Sequence, residues 1–134
     1  MSKEVVRVSD VMDHDFDIFD GLATVADVLR KAKHLTSSRC IIVDKRHDDD
    51  EYGIVMLSDI AKKVIAANRA PDRVNIYEIM SKPVISVRPD MDIRYCTRLF
   101  ENFGLARAPV LKDGKVQGMV GYTNIVMYGL KDRL

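Results

Sequence analysis

Apolar positions along this chain follow two periods, and the periods recur in the same order twice. Val25, Val28, Leu29, Ala32 and Leu35 keep the i, i+3, i+4, i+7 spacing of a helix with one buried face. Ile93, Cys96, Phe100 and Phe103 form a second such face. Thr24 opens the first helix with Asp27 three residues on, an imperfect capping box, and Asp92 caps the second. Around them lie short apolar runs that read as strands: Cys40 to Val43, Gly53 to Leu57, Val84 to Val87, Ala108 to Leu111 and Val116 to Val120. Phe16 and Ile18 alternate with aspartates, the period of a half-buried strand, and Lys3 to Val8 reads as a short strand or arm. Asp20-Gly21, Pro89-Asp90 and the hairpin signal Asp113-Gly114 mark turns, and Gly104 is placed to end a helix in a left-handed conformation.

One stretch carries the repeat most visibly. Gly53-Ile54-Val55-Met56-Leu57-Ser58-Asp59 is echoed by Gly118-Met119-Val120-Gly121-Tyr122-Thr123-Asn124. Each copy runs from glycine through apolar residues to a hydroxyl and then a carboxylate or amide. Helix-like segments follow, Ile60 to Ala67 and Ile125 to Leu130. The unit reads as strand, sharp entry, helix, with Ser58 and Thr123 as the expected N-caps. A helix N-terminus favours anions, and Asp59 and Asn124 in the first turn have side-chain oxygens suited to a sugar hydroxyl.

The register of the duplication can be counted. Met80 lies 68 residues after Met12, Arg98 68 after Arg30 and Arg107 68 after Arg39, whereas Gly118 lies 65 after Gly53. This places three extra residues in the charged loop of the first half, where Lys45 to Glu51 is expected to be mobile and dispensable. Ile76-Tyr77-Glu78-Ile79-Met80 likewise mirrors Val8-Ser9-Asp10-Val11-Met12. The expected organisation is α/β: two β-α-β-β-α repeats, residues 1–69 and 70–134, packed together with pseudo-two-fold symmetry because neither encloses a core alone.

Composition narrows the function classes. The chain has 134 residues, 47% hydrophobic and 31% charged, as in a soluble globular protein of one domain or two small halves. A net charge of +1 gives no support for a nucleic-acid surface. No apolar run approaches the ~20 residues of a membrane span, and no signal-peptide core follows Met1, which points to the cytoplasm. Cys40 and Cys96 lie in apolar segments and read as core thiols of a reducing compartment. Asp13, Asp15 and Asp17 begin like a calcium loop, but Ile18 stands where glycine is needed and Thr24 where glutamate is needed. His47 to Glu51 reads as a solvated hairpin tip. There is no phosphate-binding P-loop, no nucleophile elbow and no Cys/His set for zinc, so no catalytic residue, no metal ligand and no required cofactor is assigned.

The ordered set of signals resembles a tandem pair of CBS domains, a Bateman module. The residues that carry it are Val11-Met12 and Ile79-Met80 before the first strands, Pro83-Val84-Ile85-Ser86-Val87-Arg88-Pro89-Asp90, and Ala108-Pro109-Val110-Leu111 followed by Asp113-Gly114 and Gly118-Met119-Val120. The likeness runs from about Val8 to Leu130. It implies two clefts between the halves, binding of an adenosine-containing ligand there (AMP, ADP or ATP), pairing into disc-shaped dimers and a regulatory, signal-transducing role toward another protein. The family's ribose-phosphate motif runs glycine, apolar, any, Thr or Ser, any, any, Asp or Asn. Gly53 with Asp59 and Gly118 with Asn124 match it, while Met56 and Gly121 replace the hydroxyl residue. Each loss removes a donor to a charged group, worth roughly 1.5–3 kcal/mol. The resemblance also implies phosphate contacts from Arg39 and Arg107, since guanidinium is a permanent planar fork of donors. It places Met12, Met80 and Val84 at the adenine pocket, although the methionines fill a core equally well. The second-half site, with Arg107, Thr123 and Asn124, is the expected better one, because Met56 puts a long side chain at the first. A dimeric interaction module with decayed sites is the alternative. Tyr95, Leu99, Met127 and Tyr128, off the buried faces, are the expected homodimer surface.

Overall fold

The computed structural model describes residues 4–134, so Lys3 of the expected N-terminal arm lies outside the described residues. Backbone packing divides the chain into two compact units, and these cut across the sequential halves. One is Asp15–Val84; the other joins the segment ending at His14 to Ile85–Leu134. The packing boundaries fall after His14 and after Val84, not at the 69/70 division expected from the repeat.

In the unit Asp15–Val84, β1 (Ile18–Phe19) runs parallel to β2 (Cys40–Val43), which pairs antiparallel with β3 (Gly53–Met56). Helix α2 (Val25–Lys31) starts at the expected box: the Thr24 hydroxyl accepts from the Asp27 N–H at 3.0 Å, and the Asp27 carboxylate accepts from the Thr24 N–H at 3.3 Å. The helix is shorter than its apolar period suggests. Leu29 is 45% exposed, and a separate turn, α3 (Leu35–Ser38), follows. The break is held by Asp17, whose carboxylate accepts the N–H groups of Lys33 and His34 at 2.9 Å each. Asp17 thus has a capping role rather than one in an ion site. A short α4 (Leu57–Ile60) continues as a π-helical turn, Ala61–Ile65. Ile41, Val43, Val55, Ile76 and Ile79 are the heart of the core.

The other unit is built in the same way. Helices α1 (Val8–Val11), α5 (Ile93–Phe103) and α6 (Tyr122–Gly129) accompany the hairpin β4 (Arg107–Lys112) and β5 (Lys115–Gly121). Asp92 caps α5 as expected: its carboxylate accepts from the Arg94 N–H at 2.8 Å and meets the Arg94 guanidinium at 2.7 Å. That guanidinium, and then the N–H, hold the Asp92 carboxyl below its ordinary value. Phe100 is fully buried and meets the edge of Tyr122 at 5.5 Å between ring centres, whereas Phe103 is 60% exposed because Gly104, at φ 66°, ends the helix beside it. The expected strand Val84 to Val87 reduces to one bridge, Val87 to Val110. Cys40 and Cys96 are both buried; burial pushes the Cys96 thiol up to about 11, which makes it inert.

The mirrored segments Val8–Met12 and Ile76–Met80 do matching work, each in the unit of the other half. Arg7 bridges Asp92 and Asp13 bridges Met119; Asn75 bridges Thr24 and Ser81 bridges Ile54. Gly53 and Gly118 admit these segments. A Cβ on Gly53 would lie 2.6 Å from Met80 Sδ, and one on Gly118 would collide with the Asp13 carbonyl.

Strand pairing corrects the counted register. Val43 opposes Gly53 and Val110 opposes Gly118, so the offset in β2 and β4 is 67 rather than 68. One residue is lost between helix and strand, and only two in the hairpin. The charged loop is also anchored. Asp50 accepts from Lys82 Nζ at 2.8 Å and from the Arg46 N–H at 3.0 Å, and the Lys45 ammonium lies 4.9 Å from the centre of the buried Tyr52 ring. The Lys82 ammonium, then the N–H groups of Arg46 and Glu51, hold the Asp50 carboxyl far below the carboxylate range. With the folded value below the unfolded one, this stabilisation is complete above roughly pH 5 and is lost as pH falls toward the folded value. Asp50→Asn is expected to lower the melting temperature at pH 7 and to flatten its acid dependence. Asp48→Asn, at the exposed tip, is expected to change neither. Thermal melts from neutral pH into acid check both.

Candidate functional site

The two strand-to-helix junctions are the places where the sequence concentrates its candidate chemistry. At the end of β5, Gly121 is the N-cap in extended conformation, and α6 begins at Tyr122. Thr123 is therefore the second helical residue, exposed, and not the cap. At the end of β3, Met56 is the N-cap and Ser58 the second helical residue, again exposed. The expectation that Ser58 and Thr123 cap these helices is corrected. What fixes each start is the residue after them. Asn124 Oδ1 accepts from the Gly121 N–H at 3.0 Å, and Asp59 Oδ2 accepts from the Met56 N–H at 2.8 Å. The positions of the missing hydroxyls, 56 and 121, are thus the two N-caps. A Ser or Thr oxygen there would complete the reciprocal bond.

Around the Gly121 junction, Arg107 is the direct strand partner of Gly121. A Cβ on Gly121 would sit 3.3 Å from Arg107 Cβ and 3.7 Å from Asn124 Oδ1, so Arg107, Gly121 and Asn124 form one patch. Asn124 Nδ2 donates to the Val11 carbonyl at 3.2 Å and to Asp13 Oδ2 at 3.1 Å. This fixes the amide with its oxygen toward the helix start, where one lone pair remains for a hydroxyl donor.

The Met56 junction differs. Its partner on β2 is Cys40, which is buried, so Cys40 and not Arg39 matches Arg107. Arg39 stands one residue earlier, exposed, in the left-handed conformation (φ 59°, ψ 22°) that ends α3. Along a strand a one-residue slip reverses the face, so the two arginines are not equivalent. Asp59 retains Oδ1, 4.0 Å from Lys63 Nζ, and Lys63 donates to the Ile79 carbonyl at 3.1 Å. The sequence reading nominated neither Lys63 nor Asp13. Met80 packs against Gly53 and the core of its unit, Met12 against Gly118 and the core of its own. The half-buried Val84 donates its N–H to the Tyr52 carbonyl at 2.9 Å.

An open cleft of about 770 Å³ lies elsewhere, lined among others by Arg7, Met12, Arg88, Asp90, Lys112 and Asp113. It holds none of Arg107, Thr123 or Asn124. Arg7 donates to the Asp90 carbonyl at 2.6 Å and Arg88 pairs with the Asp90 carboxylate at 3.3 Å, so its charges largely meet one another. Among the described residues no group of His, Cys, Asp and Glu could hold a metal ion, and no helix is long and apolar enough to cross a membrane.

Residues 76–131 match the CBS domain family. An uncharacterised protein of Methanopyrus kandleri is 30% identical over 122 residues, which cover 90% of this chain and 61% of that relative, so the chain spans less than two thirds of its length. A hexameric CBS-CP12 protein from bloom-forming cyanobacteria is 32% identical, with a TM-score of 0.88 over 99% of this chain and 77% of the other. Two further structures share the fold at lower identity. One is a CBS domain pair in complex with 5′-methylthioadenosine and S-adenosyl-L-methionine (20%, TM-score 0.76, 96% and 99% covered). The other is a CBS domain protein from Pyrobaculum aerophilum complexed with AMP (16%, TM-score 0.74, 90% of each covered). With the repeated strand-to-helix junctions already described, these matches give the conclusion that the chain belongs to the CBS-domain proteins and carries a tandem CBS pair.

Proposed function

We propose that this chain is a regulatory module, not a catalytic one, and that its junctions bind an adenosine-containing ligand, with AMP, ADP or ATP as the favoured class. The observation that carries the reading is the patch of Arg107, Gly121 and Asn124: an arginine paired directly with a glycine N-cap, and an amide oxygen fixed at the start of an eight-residue helix. Such a helix start favours an anion, Arg107 supplies a phosphate partner, and Asn124 accepts from a ribose hydroxyl. Gly121 supports the reading by leaving space where a side chain would crowd Arg107 and the Ala106 carbonyl. The complexes of two fold relatives, one with AMP and one with phosphate-free adenosine derivatives, support the ligand class. A cytoplasmic location belongs to the same proposal.

The expected readout is a change in what a protein target sees. A ligand shifts such an equilibrium only by its differential affinity for two states. Assembly of copies through α5 and α6 is part of the proposal. It rests on exposed Tyr95, Met127 and Tyr128, joined by Val126, and on the hexameric relative; Leu99, expected on the same surface, packs instead against the core of its unit. Calorimetry with AMP, ADP, ATP, NADH, adenosine and S-adenosylmethionine tests the function. Saturable heat with AMP, weaker with adenosine, is the expected result. Flat titrations with every compound would leave the interaction module with decayed sites as the better reading.

A further inference from the structure

Val11 and Ile79 are matching residues, 68 positions apart, and each presents a backbone carbonyl beside the junction of its own unit. In one unit a single side chain serves both sides: Asn124 accepts from the Gly121 N–H and donates to the Val11 carbonyl. An amide can do this because it carries both an acceptor and donors. Asp59, at the matching place, is a carboxylate and only accepts. It takes the Met56 N–H, and the Ile79 carbonyl is met instead by Lys63 Nζ at 3.1 Å. The same ammonium stands 4.0 Å from Asp59 Oδ1. The residue matching Lys63 in the other unit is Tyr128, which is exposed and has no ammonium to offer.

We propose that Lys63 is the positioning residue of the Asp59 junction: its ammonium ties Asp59 to the Ile79 carbonyl, as the amide of Asn124 alone ties Gly121 to Val11. The pair Asp59 and Lys63 is thus the ionic counterpart of one asparagine. It holds the segment Ile76–Met80 to the helix start and keeps the Asp59 carboxylate in place there. Lys63 also supplies the cation that this junction lacks on β2, where Cys40 replaces the arginine. An ion contact with a lysine side chain 47% exposed is screened by salt, and an amide-to-carbonyl bond is not. The Asp59 junction is therefore the salt-sensitive one. The ligand part of this inference rests on the proposed reading of the junctions as adenosine sites; the link between Lys63, Asp59 and Ile79 does not.

The test is a cycle of four proteins: the parent chain, Lys63→Met, Asp59→Asn and the double variant. Asparagine at 59 can donate to the Ile79 carbonyl as Asn124 does to Val11, and so makes Lys63 dispensable. Lys63→Met is expected to lower the melting temperature by roughly 2–5 °C in the parent and by under about 1 °C in the Asp59→Asn background. Lys63→Arg is expected to keep most of the parent value. Equal losses in both backgrounds, or no loss in the parent, would overturn the proposal. With Asn124→Ala silencing the other junction, Lys63→Met should weaken adenosine roughly tenfold, and Asp59→Asn should restore it. If the melting cycle couples as stated while adenosine binds none of these proteins, the positioning role stands and the ligand reading fails.

Discussion

Gly118→Ala is expected to lower the melting temperature by roughly 5–10 °C, the largest stability loss among the glycines. The added Cβ would meet the Asp13 carbonyl, which is backbone and is itself held. Asp13 and Met119 exchange both N–H bonds, each at 2.9 Å, and the Asp13 carboxylate accepts from Asn124. Relieving the clash means moving that segment and breaking these bonds together. Two comparisons isolate the cause. Gly53→Ala meets the sulfur of Met80, the far end of a flexible side chain, and is expected to cost much less. Gly104→Ala has open space and only the left-handed backbone (φ 66°) against it, an expected cost of about 1 kcal/mol. A Gly118→Ala protein as stable as Gly53→Ala would show that the Asp13 segment does not pack there as described.

Arg107→Ala is expected to weaken AMP about 10- to 100-fold and leave adenosine nearly unchanged, because only the nucleotide carries phosphate. Asn124→Ala is expected to weaken both alike, since it removes an acceptor for the ribose. It also removes the bonds to Gly121, Val11 and Asp13, so affinities should be compared well below its lowered melting temperature. Arg39→Ala is expected to change little, because strand pairing puts Cys40 and not Arg39 in the place of Arg107. Titration calorimetry of the three variants against AMP and adenosine reads all of this. Equal losses of AMP and adenosine on Arg107→Ala would remove its phosphate role.

Much of this was legible in the chain because local signals and burial agree. Thr24 with Asp27, Asp92, Gly104 and Asp113-Gly114 are caps and turns whose chemistry is local, and each stands where its residues place it. The errors come from what composition and period do not encode. A count of matching arginines cannot detect one residue lost between helix and strand, yet that slip turns Arg39 off the strand face. Ser58 and Thr123 have the right chemistry for caps, but Asp59 and Asn124 draw the helix start back to Met56 and Gly121. The loop from Lys45 to Glu51 reads as solvated because its partner Lys82 is 32 residues from Asp50. The packing of Val8–Met12 with the second sequence half and of Ile76–Met80 with the first is a long-range event that local periodicity does not encode.

A crystal structure of the chain with AMP is expected to show density at the start of α6, with the phosphate on the Arg107 guanidinium and a ribose hydroxyl within hydrogen-bond reach of Asn124 Oδ1. Density only beside Asp59, or in the cleft between Arg88 and Lys112, would contradict this expectation.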